Sequence, residues 1–113
     1  MRLNHLTGQA AEDKAVDYLQ KQGFKIVARN WHCAFGEIDI IATKKQLLAF
    51  IEVKYRKSAV FGGAAYSITP SKLLKLQRSI EFYLQHNRHK GDIRLDAILI
   101  EDNKLSHIEN IMD

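Results

Sequence analysis

The sequence has little cysteine and no long apolar run. Cys33 is the one cysteine among 113 residues, so no disulfide can form within the chain, which suits a reducing compartment. The longest apolar stretch, Leu47–Ile51, has five residues, whereas a membrane-spanning helix needs about 20. The first nineteen residues contain no continuous apolar segment of the kind that a secretory signal has. These absences predict a cytoplasmic protein with no membrane partner.

Repeats, low-complexity tracts and linkers are also lacking, and the length fits a single domain over residues 1–113. Hydrophobic residues make up 46% of the chain and charged residues 27%, which is typical of a folded globular protein. The charge is uneven: Lys54 to Arg94 holds nine basic residues and two acids, whereas the last nineteen residues hold five acids and one lysine. A basic middle segment favours a polyanionic partner such as nucleic acid, although a solubilising surface gives the same count.

Periodicity and turn signals predict an α/β (α+β) fold with the element order α-β-β-β-α-β-β. Leu6–Gln22 is predicted as a helix, with Thr7 as its N-cap and Gly23 at its end. Thr69 and Pro70 predict the start of a second helix, which runs to about His86. Apolar runs predict five strands, and a segment with two glycines and no clear period is predicted as a loop over Lys57–Ser67. The strands are Lys25–Asn30, Gly36–Thr43, Leu47–Tyr55, Ile93–Glu101 and Leu105–Ile111.

The second and third strands are predicted to form a hairpin with its turn at Lys44–Lys45. Side chains two residues apart share a face of a strand, so Glu52 and Lys54 point the same way. This turn puts Asp39 opposite Phe50 and diagonal to Glu52, and a register shifted by two makes Asp39 and Glu52 direct partners. In both registers Asp39, Glu52 and Lys54 come within reach of each other.

Acidic side chains in this arrangement suggest a metal site. Glu12 falls inside the apolar stripe of the first helix, where a carboxylate is costly unless it is paired or bound to metal. Two neighbouring carboxylates repel each other, and a divalent cation such as Mg²⁺ or Mn²⁺ removes the conflict. Asp39, Glu52 and Glu12 are therefore candidate metal ligands, and Lys54 is a candidate to position water or stabilise charge on a phosphate. The alternatives are an exposed cross-strand salt bridge and a Glu12 that reaches water.

The ordered set of acid, aspartate and Glu-x-Lys resembles the pattern of the PD-(D/E)XK nucleases, most closely the Holliday-junction resolvases. The chain as a whole resembles the YraN family of small proteins with a restriction-endonuclease-like fold. Ile38 precedes Asp39 where the nuclease motif has proline. The matching segments are Gly8-Gln9-Ala10-Ala11-Glu12, Asn30-Trp31, Gly36-Glu37-Ile38-Asp39, Ile51-Glu52-Val53-Lys54-Tyr55-Arg56, Lys72 and Arg94-Leu95-Asp96.

The resemblance implies a restriction-endonuclease-like mixed sheet with flanking helices. It also implies a catalytic set of Glu12, Asp39, Glu52 and Lys54, a Mg²⁺ or Mn²⁺ cofactor, and DNA as the partner. Junction resolvases cut two strands symmetrically, so a homodimer is a further expectation. Basic residues of the middle segment are the candidates for nucleic-acid binding, and three of them follow three-residue steps on the second helix. They are Arg56, Lys57, Lys72, Lys75 and Arg78.

Other chemically capable residues are given no catalytic role. Glu37 is either a third carboxylate or solvated, and Lys72 either meets a phosphate or is simply exposed. Arg94 and Asp96 are predicted to form an ion pair, with a ligand role for Asp96 as the weaker alternative. Solvent exposure or packing, and not metal binding or base stacking, is predicted for Trp31, His32, Cys33, Phe35, His86 and His89.

Three functions stay open on these grounds. The first is a Mg²⁺-dependent nuclease acting on structured or branched DNA, and the intact set of four site residues favours it. The second is a nucleic-acid-binding module on a nuclease-like fold that does not cut. The third is a structural or adaptor protein in which the polar cluster only holds the first helix against the hairpin.

Overall fold

A five-stranded mixed sheet with two helices forms the protein. The computed structural model describes residues 3–56, 68–101 and 104–112, with side chains from Gly8 onward. The predicted α-β-β-β-α-β-β order is confirmed. In chain order the elements are α1 (Leu3–Lys21), β1 (Lys25–Cys33), β2 (Gly36–Lys44), β3 (Leu47–Arg56), α2 (Pro70–His86), β4 (Ile93–Glu101) and β5 (Lys104–Ile108).

The strands lie side by side in sequence order, from β1 to β5. The β3–β4 pair is parallel and the other three pairs are antiparallel. A parallel pair needs a crossover, and α2 provides it between β3 and β4. The sheet is therefore mixed, with its parallel pair buried in the middle.

The two helices cover opposite faces of the sheet. On β3, Ala49 and Ile51 pack with α1, whereas Leu48 and Phe50 pack with α2, which is the alternation expected of a strand buried on both sides. The cluster against α1 contains Ala11, Ala15, Leu19, Phe24, Ile40, Ala42, Ala49, Ile51, Ile98 and Ile100. The cluster against α2 contains Ile38, Ile41, Leu48, Phe50, Leu76, Ile80, Tyr83 and Leu95.

The end of α1 is as predicted, but its start is not. Gly23 has a φ of 98°, a left-handed conformation that glycine adopts readily. Its N–H donates to Gln20 O, and Phe24 N–H donates to Leu19 O, which together form a Schellman motif. The prediction that Thr7 caps the helix is wrong, because the helix begins at Leu3. No proline or glycine lies between Leu3 and Thr7 to stop it there.

The predicted hairpin exists, but its turn is one residue further along. Lys44 pairs with Leu47, and Lys45 has a φ of 56°. Lys45 and Gln46 therefore make the turn, and the prediction of Lys44–Lys45 is wrong. The left-handed conformation is taken by Lys45, and no glycine or asparagine marked that position in the sequence.

Two predicted strand ends are also wrong, each at an asparagine in a left-handed conformation. Asn30 has a φ of 52°, yet β1 continues through Trp31 to Cys33 by pairing with β2. Asn110 has a φ of 57°, and it follows the end of β5. The chain turns there so that Ile111 N–H donates to Leu95 O, so the last strand does not reach Ile111.

Helix α2 begins as predicted. Thr69 is the N-cap, its side-chain oxygen accepts a hydrogen bond from Lys72 N–H at 3.2 Å, and Pro70 follows at the first helical position. The predicted loop Lys57–Ser67 lies outside the described residues. Within the ranges that the structure describes, neither helix is long and apolar enough to cross a membrane.

Candidate functional site

Asp39 and Glu52 meet at one end of the β2–β3 ladder. The ladder runs from Lys44–Leu47 at the turn to Ile40–Ile51, and Ile38 and Ile40 lie on opposite faces of the sheet, so the regular alternation of β2 is interrupted at Asp39. Asp39 Oδ2 accepts a hydrogen bond of 2.8 Å from Val53 N–H, so its side chain lies across the β3 backbone. Of the two registers derived from the sequence, β2 and β3 form the one shifted by two, as far as Ile40–Ile51.

The charge of Asp39 is destabilised by its surroundings. Burial raises its pKa from 3.8 to about 7, and the neighbouring charges of Glu52, Glu37 and Glu12 act in the same direction. The hydrogen bond from Val53 N–H opposes this shift but does not cancel it. The pKa of Asp39 is therefore raised mainly because the carboxyl group is buried, and three neighbouring carboxylates add to the shift.

Glu12 faces inward from α1 and is 8% exposed. Its Oε1 atom accepts hydrogen bonds from Arg29 Nη2 at 2.8 Å and from Asn30 Nδ2 at 3.1 Å. Arg29 also donates to Asp13 Oδ1 at 2.7 Å. The left-handed backbone at Asn30 occurs at this contact. Glu12 therefore lies near Asp39 but is held by β1.

Glu52 is 5% exposed and has a cation beside it. Lys72 Nζ, in the first turn of α2, lies 3.5 Å from Glu52 Oε2. Lys72 reaches Glu52 because α2 packs on the face of β3 that carries Leu48, Phe50 and, by alternation, Glu52. The Lys72 side chain is 42% exposed, and its contact with a phosphate stays a prediction.

Lys54 lies two residues after Glu52 on β3 and is half-buried. No ion-pair partner for it exists among the residues that the structure describes. The predicted alternative of a cross-strand salt bridge from Lys54 to Asp39 or Glu52 is therefore not formed. The alternation of β3 puts Lys54 on the same face as Glu52, and an ammonium on this face can contact a further anionic group.

The remaining basic candidates extend away from this site. Lys75 and Arg78 are exposed on α2, and Arg56 is the half-buried last residue of β3. Lys57 lies outside the described residues. Glu37, whose role was left open, has a 42% exposed side chain and forms a 3.1 Å ion pair with His32, so it lies at the rim and not at the centre.

Asp96 belongs to a separate network, and the alternative of a ligand role for it is wrong. Arg94 donates to both of its oxygens at 2.8 Å, which confirms the predicted ion pair. His107 Nε2 lies 2.8 Å from Oδ2, and Asn110 N–H donates to Oδ1 at 2.9 Å. Burial would raise the pKa of Asp96, but these hydrogen bonds outweigh it and hold the pKa below its usual value. Four contacts leave its oxygens no capacity for a metal.

The histidines and the cysteine form no metal site in the described part of the chain. His86 Nδ1 contacts Phe82 O at 3.0 Å, and His89 Nε2 contacts Gln46 O at 2.7 Å. Cys33 is a free, half-buried thiol. Across residues 3–56, 68–101 and 104–112, no three side chains of His, Cys, Asp or Glu converge as a metal-binding group. Candidate ligands are therefore limited to the Asp39–Glu52 pair, with backbone or solvent oxygens to complete a shell.

Sequence reasoning missed the partners that hold the acidic residues in place. Arg29 and Asn30 bind Glu12 from 17 and 18 residues away, and the third missed partner, His107, binds Asp96 from the last strand. No residue spacing in the sequence points to these contacts, because they depend on which elements lie side by side in the fold.

Comparison with known proteins gives the family. The model of the uncharacterised protein family UPF0102 matches residues 11–100. The chain belongs to the UPF0102 family. UPF0102 proteins of Neisseria gonorrhoeae strain NCCP11945 and Neisseria meningitidis serogroup C strain 053442 are 62% and 61% identical over 105 residues, 92% of this chain and 91% of each relative. The UPF0102 protein of Shewanella loihica is 43% identical over 107 residues, 94% of each chain. The matched region includes Glu12, Asp39, Glu52 and Lys54.

Proposed function

We propose that this UPF0102 protein is a Mg²⁺-dependent nuclease of the PD-(D/E)XK type that hydrolyses phosphodiester bonds in DNA. One observation carries the proposal: Asp39 and Glu52 are adjacent at the end of the β2–β3 ladder, in surroundings that raise the pKa of Asp39 to about 7. A structural role alone gives no reason to bring two carboxylates together in a partly buried site, since their repulsion reduces stability.

The residues present fit a hard divalent cation. Asp39 and Glu52 supply two carboxylates, the Val53 carbonyl is a further candidate ligand, and Glu12 is near enough to add to the negative potential at Asp39. Oxygen ligands suit Mg²⁺ or Mn²⁺, and Mg²⁺ usually keeps several waters beside one or two carboxylates. When bound, such a cation polarises a phosphate and makes a coordinated water more acidic.

Lys54 supplies positive charge at the same site. Its ammonium is available to hold an attacking water or to stabilise the charge that develops on the phosphate, and a preorganised charge of this kind acts mostly in the transition state. Lys72 contributes differently, because its ammonium lies 3.5 Å from Glu52. With a cation held by Glu52, the ammonium of Lys72 would be available for a phosphate of the substrate.

The basic residues beyond the site favour a nucleic acid as the substrate. Lys75 and Arg78 are exposed along α2, the helix whose first turn reaches Glu52. A backbone lying along α2 would meet these charges before its phosphodiester reached the carboxylates. DNA in a structured or branched form, cut by a homodimer, is the form of this proposal that the likeness to junction resolvases suggests.

A second candidate is a nucleic-acid-binding module that does not cut. It is favoured by the contacts of Glu12, whose Oε1 atom already accepts from Arg29 and Asn30, and by the lack of a three-residue metal-binding group in the described ranges. In that case the same basic surface binds a backbone while the carboxylates only shape the fold.

A cleavage panel separates these candidates. The wild-type protein and Asp39→Ala are incubated with duplex, flapped, single-stranded and four-way-junction DNA in Mg²⁺, in Mn²⁺ and in EDTA. Metal-dependent cutting that Asp39→Ala lacks supports the nuclease. Binding by both proteins without any cutting supports the second candidate. Neither binding nor cutting, together with no heat of Mn²⁺ binding by calorimetry, supports a structural or adaptor role.

A further inference from the structure

A groove of about 500 Å³ lies on the outer side of α2, next to the β1–β2 turn. Its lining consists of two aromatic rings, one cation, one acid and one amide, supplied by Phe35, Arg78, Glu81, Phe82 and Gln85. The volume is within the range of sites for small organic molecules. None of these residues takes part in the carboxylate site.

We propose that this groove binds one unpaired nucleobase of the substrate, with the base stacked on Phe35 and its phosphate near Arg78. The inference rests on the proposed function, because it assigns a substrate class to the same nucleic-acid surface. It makes the protein selective for DNA with single-stranded segments, such as a flap, a gap or the arm of a branch.

Exposure of Phe35 is the first argument. It is 43% exposed, so of the core or edge packing expected for this ring the structure shows packing at an edge. Its ring lies 6.1 Å from that of Phe82 in an edge-to-face arrangement, and the Phe82 ring is itself flanked by His86 at 4.5 Å and Trp31 at 6.2 Å. Phe35 is therefore a partly exposed ring at the edge of a packed aromatic cluster, and its exposed part is available for a stacked base.

Rigidity of this surface is the second argument. Gly36 has a φ of 150°, and a Cβ at that position would lie 3.5 Å from Ser79 Oγ. The turn that carries Phe35 therefore rests directly on α2, and Ser79 is fully buried there. Because the backbone next to Phe35 is held by this contact, the turn loses little conformational freedom when a base stacks on the Phe35 ring.

Charge and distance are the third argument. Arg78 is exposed and has no ion-pair partner among the described residues. It is six residues after Lys72 on α2, which corresponds to about 9 Å along the helix axis, or one to two nucleotides of single strand. Glu81 in the lining disfavours a second phosphate there, whereas Gln85 can bond the edge of a base. The lining thus suits a base with one phosphate beside it.

Fluorescence anisotropy tests the groove in EDTA, so that no cleavage intervenes. The probes are a labelled single-stranded oligonucleotide and a duplex of equal length. Phe35→Ala and Phe35→Leu should bind the single strand about tenfold more weakly, since a base–aromatic stack contributes roughly that factor, with duplex binding unchanged. Phe35→Leu keeps apolar packing without a π face, and Phe35→Trp should retain wild-type affinity. Leu74→Ala is the matched control, because Leu74 is a 48% exposed apolar residue on α2 outside the groove. It should change neither the single-strand nor the duplex affinity.

Two outcomes overturn the groove assignment while leaving the nuclease proposal in place. One is unchanged single-strand affinity in both Phe35→Ala and Phe35→Leu, and the other is an equal loss for single strand and duplex. A wild-type protein that binds neither probe overturns the groove assignment, and the flapped and four-way-junction DNAs of the cleavage panel then decide the proposed function separately. Quenching of 2-aminopurine in the single strand by the wild type but not by Phe35→Ala supports stacking directly.

Discussion

Replacing Asp39 by asparagine should stabilise the metal-free protein, and increasingly so as the pH rises. Asparagine has nearly the shape of aspartate, and its side-chain oxygen can still accept the hydrogen bond from Val53 N–H, but it carries no charge. In the folded wild type, burial and the charge of Glu52 raise the pKa of Asp39 from 3.8 to about 7. The folded state therefore holds the proton of Asp39 more tightly than the unfolded chain does.

The sign and size follow from proton linkage. A carboxyl pKa that is raised in the folded state makes stability fall as the pH increases from about 4 to about 7, after which it levels off. The shift corresponds to about 4 kcal/mol at roughly 1.4 kcal/mol per pH unit, and partial exposure to solvent reduces this to about 2–3 kcal/mol. We expect the unfolding free energy of Asp39→Asn to exceed that of the wild type by about 2–3 kcal/mol at pH 8, and by less than about 1 kcal/mol at pH 4.5.

Urea denaturation followed by circular dichroism at both pH values, in EDTA, gives these differences. Added Mg²⁺ should then raise the melting temperature of the wild type by binding the folded state, and should raise that of Asp39→Asn much less. Asp17→Asn is the matched control, because Asp17 is 65% exposed and pairs with Lys21 at the surface. An Asp39→Asn protein less stable than the wild type at pH 8, or a difference that does not change with pH, would refute the argument from charge repulsion.

Three further predictions concern other residues. Lys54→Ala should reduce cutting about a hundredfold or more while Mn²⁺ and DNA binding persist, and an active variant in single-turnover assays would contradict the role given to Lys54. Lys75→Glu with Arg78→Glu should weaken DNA binding and lower its salt dependence, which anisotropy at several salt concentrations measures against unchanged melting temperature. Asp96→Asn should lower the unfolding free energy by about 3 kcal/mol because it breaks a buried pair. Since the pKa of Asp96 is lowered, this loss should shrink as the pH falls below 4, and a pH-independent loss would argue against the charged network.

Local signals in the sequence were sufficient for most element types. Gly23, Thr69 and Pro70 marked helix boundaries through conformations and caps that depend on one or two residues. The predictions at Asn30 and Lys45 were wrong because strand pairing, and not the conformational preference of each residue, decides where these left-handed conformations occur. Strand pairing supplies the missing hydrogen bonds, so it can extend a strand through a residue that alone predicts a turn.

For the candidate site too, some features follow from the sequence alone and others only from the tertiary structure. The sequence by itself determined the order of the elements, the inward position of Glu12 on a helical stripe and the shared face of Glu52 and Lys54, because these follow from the fixed periods of helix and strand. Only the tertiary structure decided that Asp39 accepts a hydrogen bond from Val53 N–H, that Lys72 reaches Glu52 and that Asp96 belongs to another network. These contacts join elements far apart in the chain, and their geometry depends on sheet register and on the face each helix covers, which no local period encodes.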